Sequence, residues 1–349
     1  MKISIVGAGG EAARSLISML MAGRFLGAED VVQLVEEREE RSFYALEGLR
    51  SDLLDAMGIG AEQLELCFRP EDIDGDVVVM SGALSYYPPL EKCSRDALAL
   101  CNLEMTREYA RAISSKGRSP IFLVLNEPVE AVVELLSRYF PRKRVVGVGA
   151  FLDTLRFRKE IATALGVPRS HVEALVIGEH GTCMIPLWSS VRVLGMTKEE
   201  LRSTINRLRK GRGYSPDCIF EPWKDAIDII KKESPMEVFK IFTELPLCVK
   251  VFVRPWLACQ MGREAVFGPA GAALRILNAL LRGEHFFGPL QVRLEGEFYD
   301  VDTVFGVPVV FGVDGVLEVV EVPLWESERA MIPAASMGIK ERIREILPE

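Results

Sequence analysis

The sequence predicts an α/β fold, a parallel-sheet domain over residues 1–150 followed by an α+β domain over residues 151–349. Three observations carry that expectation. The first third alternates short apolar β-rich runs with helix-length segments, the pattern of strands covered on both faces and joined by right-handed crossovers. The chain has 349 residues, 49% of them apolar and 26% charged, which suits about two globular domains and not a disordered or fibrous chain. Near residue 152 the texture changes, and the later segment 289–322 alternates apolar and polar residues around turns such as Asp314-Gly315, as antiparallel hairpins do.

Taken in order, Ile3-Ser4-Ile5-Val6 is the first strand, Val31 to Val35 the second, Val77 to Met80 the third, and Ile121 to Leu125 the fourth. Helices are expected between them near 12–23, 41–57, 94–115 and 127–138, and Val145 to Val148 closes this unit. Beyond the boundary the pattern predicts a helix over 154–164, a strand over 172–178, a charged and mostly helical stretch over 197–282, the hairpins, and a terminal helix. Lys210-Gly211-Arg212-Gly213-Tyr214-Ser215-Pro216 reads as a solvated loop.

The formal charge of −8 gives no general electrostatic reason to bind nucleic acid or an anionic membrane. No apolar run reaches about 18 residues, and the chain enters a strand at once, so a cytoplasmic protein without a membrane partner is expected. The seven cysteines are widely spaced without a C-x-x-C pair, and no metal-ligand cluster is evident. Cys101 reads as core and Cys183 as a packed neighbour of a histidine turn. There are three histidines, His171, His180 and His285, so any imidazole chemistry comes from these.

Gly7-Ala8-Gly9-Gly10-Glu11-Ala12 leaves the first strand and opens a helix. Gly7 permits a tight turn, Gly9 and Gly10 let the backbone approach a pyrophosphate at the helix N-terminus, and Ala12 stands where the third glycine of a Rossmann-type dinucleotide fingerprint would be. Glu36 ends the second strand, where a carboxylate accepts from an adenosine ribose. Its distance from Gly7 exceeds the usual interval of about 20 residues. The acid favours NAD, while Arg38 and Arg41 leave NADP open.

Two later segments carry a sharper signal. Asp153 and Arg156 are three apart and share a helical face if a helix begins there. Gly178-Glu179-His180-Gly181 places a histidine at a strand end among small residues. An imidazolium that protonates an alkoxide, a carboxylate that fixes its tautomer and a guanidinium that holds a carboxylate are what reduction of a 2-oxo acid requires. A surface ion pair beside a polar turn would fit the same spacing.

The run Leu152-Asp153-Thr154-Leu155-Arg156-Phe157-Arg158, followed by Val176-Ile177-Gly178-Glu179-His180-Gly181 and Ile185-Pro186-Leu187-Trp188-Ser189, resembles the L-lactate/malate dehydrogenase family, of which this chain looks like a divergent member. The likeness extends more loosely over the glycine turn, Ser94 to Leu98 with Asn102 after it, Glu127-Pro128-Val129-Glu130 and Phe305 to Gly312. It implies a lactate/malate dehydrogenase-like second domain, NAD as cofactor, a 2-oxo/2-hydroxy acid substrate and a homodimer or dimer of dimers. By the same resemblance His180 is the proton donor and acceptor, Asp153 its orienting partner, Arg156 the carboxylate clamp and Arg95 the loop arginine that polarises the carbonyl. Asn102 and Asn126 fall among the cofactor contacts.

Departures from the pattern matter as much. Glu127 stands where the family has asparagine, so either Asn126 supplies the missing amide or the reaction has changed. Pro89 occupies the position at which malate enzymes carry arginine, and Lys92 is a cation that can meet a second carboxylate. Ala265 replaces a pocket threonine, and a longer interval before it implies an insertion around 205–255. A non-catalytic NAD-binding or sensing protein on the same scaffold is the competing expectation.

Overall fold

The computed structural model describes residues 1–37, 40–57, 63–82, 95–181, 183–209, 235–245, 247, 249–251, 253 and 265–347. Strand β1 (Lys2–Val6) lies between β2 (Val31–Val35) and β4 (Val77–Met80), all parallel. A strand that the hydrophobic pattern did not flag, β3 (Leu64–Cys67), pairs outside β2, while β5 (Ile121–Val124) and β6 (Val145–Gly147) extend the other side. The order β3-β2-β1-β4-β5-β6 is that of a dinucleotide-binding sheet, whose crevice opens where the order reverses, between β1 and β4. Every residue of β4 and β5 is buried, as expected for strands covered on both faces.

Helices α1 (Glu11–Ala22), α2 (Glu40–Met57), α3 (Arg95–Ser115) and α4 (Val129–Ser137) follow β1, β2, β4 and β5. Helix α5 (Gly149–Leu165) starts five residues before the sequence expectation, because Gly149 to Leu152 are buried and continue the apolar face. It leads into β7 (Val172–Gly178) and β8 (Met184–Val193), an antiparallel pair. The stretch expected to be mostly helical contains α6 (Lys198–Leu208), α7 (Pro235–Glu244) and α8 (Phe267–Leu281) among the described residues. Thr197 and Glu200 close α6 with a reciprocal capping box.

The expected hairpins are β9 (Phe286–Arg293), β10 (Val304–Gly312) and β11 (Gly315–Val319), followed by the short α9 (Glu326–Arg329) and by α10 (Ile332–Ile346). The two halves share one eleven-stranded sheet. They join where Gly147 of β6 pairs antiparallel with Gln291 of β9. Helix α5 packs across β7 and β9, and α1 packs on α8, so elements of the two halves pack against one another. Among the described residues no helix is long and apolar enough to cross a membrane.

Candidate active site

Local geometry explains why the histidine stands where it does. Strand β7 ends at Gly178, whose φ of +94° turns the chain back toward β8 and leaves Glu179 and His180 in the turn. The main-chain N–H of His180 donates to Glu130 Oε1 at 2.7 Å. Gln291 donates to the same oxygen at 3.2 Å and accepts from the Ala150 N–H at 3.1 Å. One fully buried amide thus ties the starts of α4 and α5 to the histidine turn. At Gly149 a Cβ would lie 2.5 Å from the His180 Cβ and Cγ, so only glycine lets the helix approach this closely.

Asp153 and Arg156 share one face of α5, as their spacing predicts. Arg156 Nη1 donates to Asp153 Oδ1 at 2.9 Å, and Asp153 Oδ2 lies 2.7 Å from His180 Nδ1. The Val176 N–H donates to the Thr154 hydroxyl at 2.9 Å, which fixes the helix against β7. Asp153 is almost wholly buried, and burial opposes its charge; the neighbouring His180 and Arg156 outweigh burial and hold the carboxyl below its usual range. Burial also opposes the imidazolium. Asp153 by charge and hydrogen bond, with Glu127 adding to it against Arg156, raises His180 from its ordinary value to about 9.

His180 Nε2 faces away from Asp153, and Glu127 Oε1 lies 3.8 Å from it. The Glu127 carbonyl accepts from Asn102 Nδ2 at 2.7 Å, and its peptide bond to Pro128 is cis. Asn126 is buried with both amide atoms unpartnered, and the Asn102 Oδ1 is likewise unpartnered. The Asn126 Cβ is 3.9 Å from where a Cβ on Gly82 would stand, and a Cβ on Gly7 would fall 1.7 Å from the Gly82 carbonyl oxygen. Gly7 has a φ of +77°. The asparagine therefore belongs to the crevice that the glycine turn borders.

At that turn Gly10 precedes α1 in extended conformation, and no side chain caps the helix. Its amides suit an anion. Gly9 donates its N–H to Glu36 Oε1 at 2.8 Å, and Glu36 is buried. The helix terminus attracts a carboxylate, and the adjacent strand end supplies one. Ala12 lies half-buried in the first turn of α1. Cys101 is half-buried and not core. Ala265 is exposed, just before α8, whose Gly268 comes close to Leu152.

Arg95 begins α3. Arg38, the loop 84–93 with Pro89 and Lys92, and Lys210 to Pro216 lie outside the described residues. The site also holds groups that motif reading passed over. Glu130 is pushed up to about 7 by burial and by Glu179, against the His180 amide that favours its charge. Glu179 accepts from the Cys183 N–H at 2.8 Å and pairs with Arg342 of α10 at 2.7 Å, and Arg342 Nη2 lies 3.1 Å from Cys183 Sγ. Gln291 had a legible signal: it is an uncharged polar residue inside the otherwise apolar run Phe286 to Val292.

Residues 1–147 match the family profile described as lactate/malate dehydrogenase, NAD binding domain; residues 150–210 and 260–349 match lactate/malate dehydrogenase, alpha/beta C-terminal domain. The chain belongs to the lactate/malate dehydrogenase family. Within it, the chain is 29% identical to an L-2-hydroxycarboxylate dehydrogenase (NAD(P)(+)) of Methanocaldococcus jannaschii, over 99% of both chains. A malate dehydrogenase of Roseiflexus sp. is 26% identical over 98% of this chain and 97% of its own. The solved minor L-lactate dehydrogenase of Enterococcus mundtii superposes with a TM-score of 0.76 at 25% identity, covering 100% of this chain and 99% of that one. This lactate/malate dehydrogenase family member uses NAD, bound by its N-terminal half.

Proposed function

We propose that this chain is an NAD-dependent dehydrogenase that interconverts a 2-oxo acid and its 2-hydroxy acid, with His180, Asp153 and Arg156 as the acting groups. The observation that carries the reading is the buried contact between Asp153 Oδ2 and His180 Nδ1, with Arg156 on the same carboxylate. Its burial sets this pairing apart from a surface ion pair beside a polar turn.

Arg156 keeps guanidinium donors beyond the one given to Asp153 and holds the substrate carboxylate. The protonated His180 donates from Nε2 to the substrate oxygen as the carbonyl becomes an alcohol, and in reverse the neutral ring takes that proton back. Asp153 fixes the Nδ1–H tautomer and stabilises the imidazolium. When bound, NADH supplies the hydride to C2. Arg95 is assigned to the substrate carbonyl. The Gly7-to-Ala12 turn is assigned to the pyrophosphate, Glu36 to the ribose, and Asn102 and Asn126 to the nicotinamide side. The unpartnered Asn126 amide and the uncapped start of α1 fit such a group.

The domain boundary falls at 150/151 in this reading. The insertion around 205–255 is supported by the gap at residues 211–259 between the two matched stretches of the C-terminal family domain. A homodimer or dimer of dimers in the cytoplasm completes it, with exposed Phe43 and Tyr44 on α2 as apolar surface for a second copy. NADH oxidation across 2-oxo acids of different length and terminal charge tests the activity. One class is expected to turn over, and His180→Ala should lower that turnover by about 10²–10⁴-fold with NADH affinity kept. Equal turnover in the variant removes His180 from the mechanism.

A further inference from the structure

Glu127 is a carboxylate where the family pattern has a neutral amide. An amide both donates and accepts and carries no charge, whereas an ionised carboxylate only accepts. The backbone here is fixed by the Asn102 hydrogen bond to the Glu127 carbonyl, while the side chain is 74% exposed and ends 3.8 Å from His180 Nε2. The imidazole consequently lies between two carboxylates. Asp153 is on the Nδ1 side, buried; Glu127 is on the Nε2 side, facing solvent and the position a substrate oxygen takes.

The other charges around the ring do not duplicate this role. Arg156, on α5, opposes the imidazolium and is neutralised by Asp153. Glu130, on α4, meets the His180 main-chain N–H. Glu179, in the same turn, is paired with Arg342 from α10. Among the described groups, Glu127 is the one carboxylate that comes within ion-pair distance of Nε2.

We propose that Glu127 is a positioning residue that sets the pH window of the acid–base step, holding the proton on His180 Nε2 until the substrate oxygen takes its place. This rests on the reading of His180 as acid and base. Reduction of a 2-oxo acid draws on the protonated ring, so Glu127 extends the reductive plateau toward alkaline pH. Oxidation of the 2-hydroxy acid draws on the neutral ring, so its plateau begins at higher pH. The ratio of the two directions at any one pH is fixed by the overall equilibrium and the cofactor affinities. Glu127 accordingly moves both limbs together and leaves that ratio alone.

The three histidines make the test direct. Imidazole NMR of the full chain, with His171→Gln and His285→Gln to assign the signals, gives the His180 midpoint without turnover. The wild-type midpoint is expected near 9 and that of Glu127→Gln lower, with proton affinity reduced about tenfold, the attraction of an exposed carboxylate at this separation. Glu127→Asp should keep part of the effect, and 1 M salt should shrink it, because an exposed charge is screened. The alkaline limb of kcat/KM for 2-oxo acid reduction should move by the same amount, and the melting temperatures of wild type and Glu127→Gln should converge at alkaline pH, where the ring is neutral in both. Identical midpoints in wild type and Glu127→Gln overturn the role of Glu127 even if a 2-oxo acid is reduced. A displaced midpoint in a chain that reduces no 2-oxo acid supports the pairing and overturns the dehydrogenase reading.

Discussion

His180 keeps its proton because of what touches its two nitrogens. The Asp153 carboxylate, 2.7 Å from Nδ1, would be costly to bury alone, and the Arg156 guanidinium at 2.9 Å lowers that cost. Replacing Asp153 by Asn removes the charge and lets the ring take the wrong tautomer. Turnover of Asp153→Asn is expected to fall by about 10²–10⁴-fold, with the His180 midpoint displaced downward and NADH affinity retained. Stopped-flow hydride transfer and imidazole NMR check the two halves of that expectation separately. The Asp153–Arg156 partnership was legible from a spacing of three on a helix. The approach of His180 came only as what the family resemblance implied, since 27 residues of chain separate it from Asp153 and nothing local says which way a turn folds.

At the scale of elements, the site is the meeting of α4, α5, β9 and the turn after β7. Gly149 sets how close α5 comes to that turn. In Gly149→Ala the added Cβ lies 2.5 Å from the His180 ring carbon, so the ring must shift. Displacement by about 1 Å is enough to cost about 10²-fold in kcat, and NADH titration should show unaltered affinity. Glu130 links α4 to the same turn. Its carboxyl, pushed up to about 7 from an ordinary 4.5, holds a proton in the folded chain over a range where the unfolded chain has lost it. Stability contributed by this group therefore falls as pH rises from 4.5 to about 7. Melting temperatures of wild type and Glu130→Gln against pH should show that the difference between them changes over this window. A constant difference would contradict the assignment. Most elements could be read from apolar runs, but β3 was missed because Leu64-Glu65-Leu66-Cys67 is short and its middle residues are half-buried at a sheet edge. The early start of α5 was missed because a glycine and buried apolar residues look alike in a strand and in a covered helix.

For the whole molecule, one continuous sheet carries both halves, and the junction lies at Gly147 and Gln291. A ligand in the crevice at β1 and β4 stabilises this unit by mass action, about 2.7 kcal/mol at a hundredfold excess over Kd. The Asn126 amide is the cleanest probe of that linkage. Its atoms are buried without partners, so Asn126→Leu should leave the ligand-free melting temperature unchanged or raised, because an unsatisfied polar group is removed. The increase in melting temperature on adding NADH should shrink in the same variant, while His180→Ala keeps it in full. A full NADH response in Asn126→Leu would take the amide out of the cofactor site.

The sequence by itself determined the class of the fold, the glycine turn and the pairing of Asp153 with Arg156, because each depends on short-range periodicity or on residues a few positions apart. Only the tertiary structure decided that Gly9 gives its amide to Glu36 and that Gln291 ties α4 to α5. It also decided that Glu127 faces His180 Nε2 and that Gly149 makes room for the ring. Each of those contacts joins residues more than twenty positions apart, and their geometry is set by how strands register and helices pack across the sheet, which no local pattern encodes.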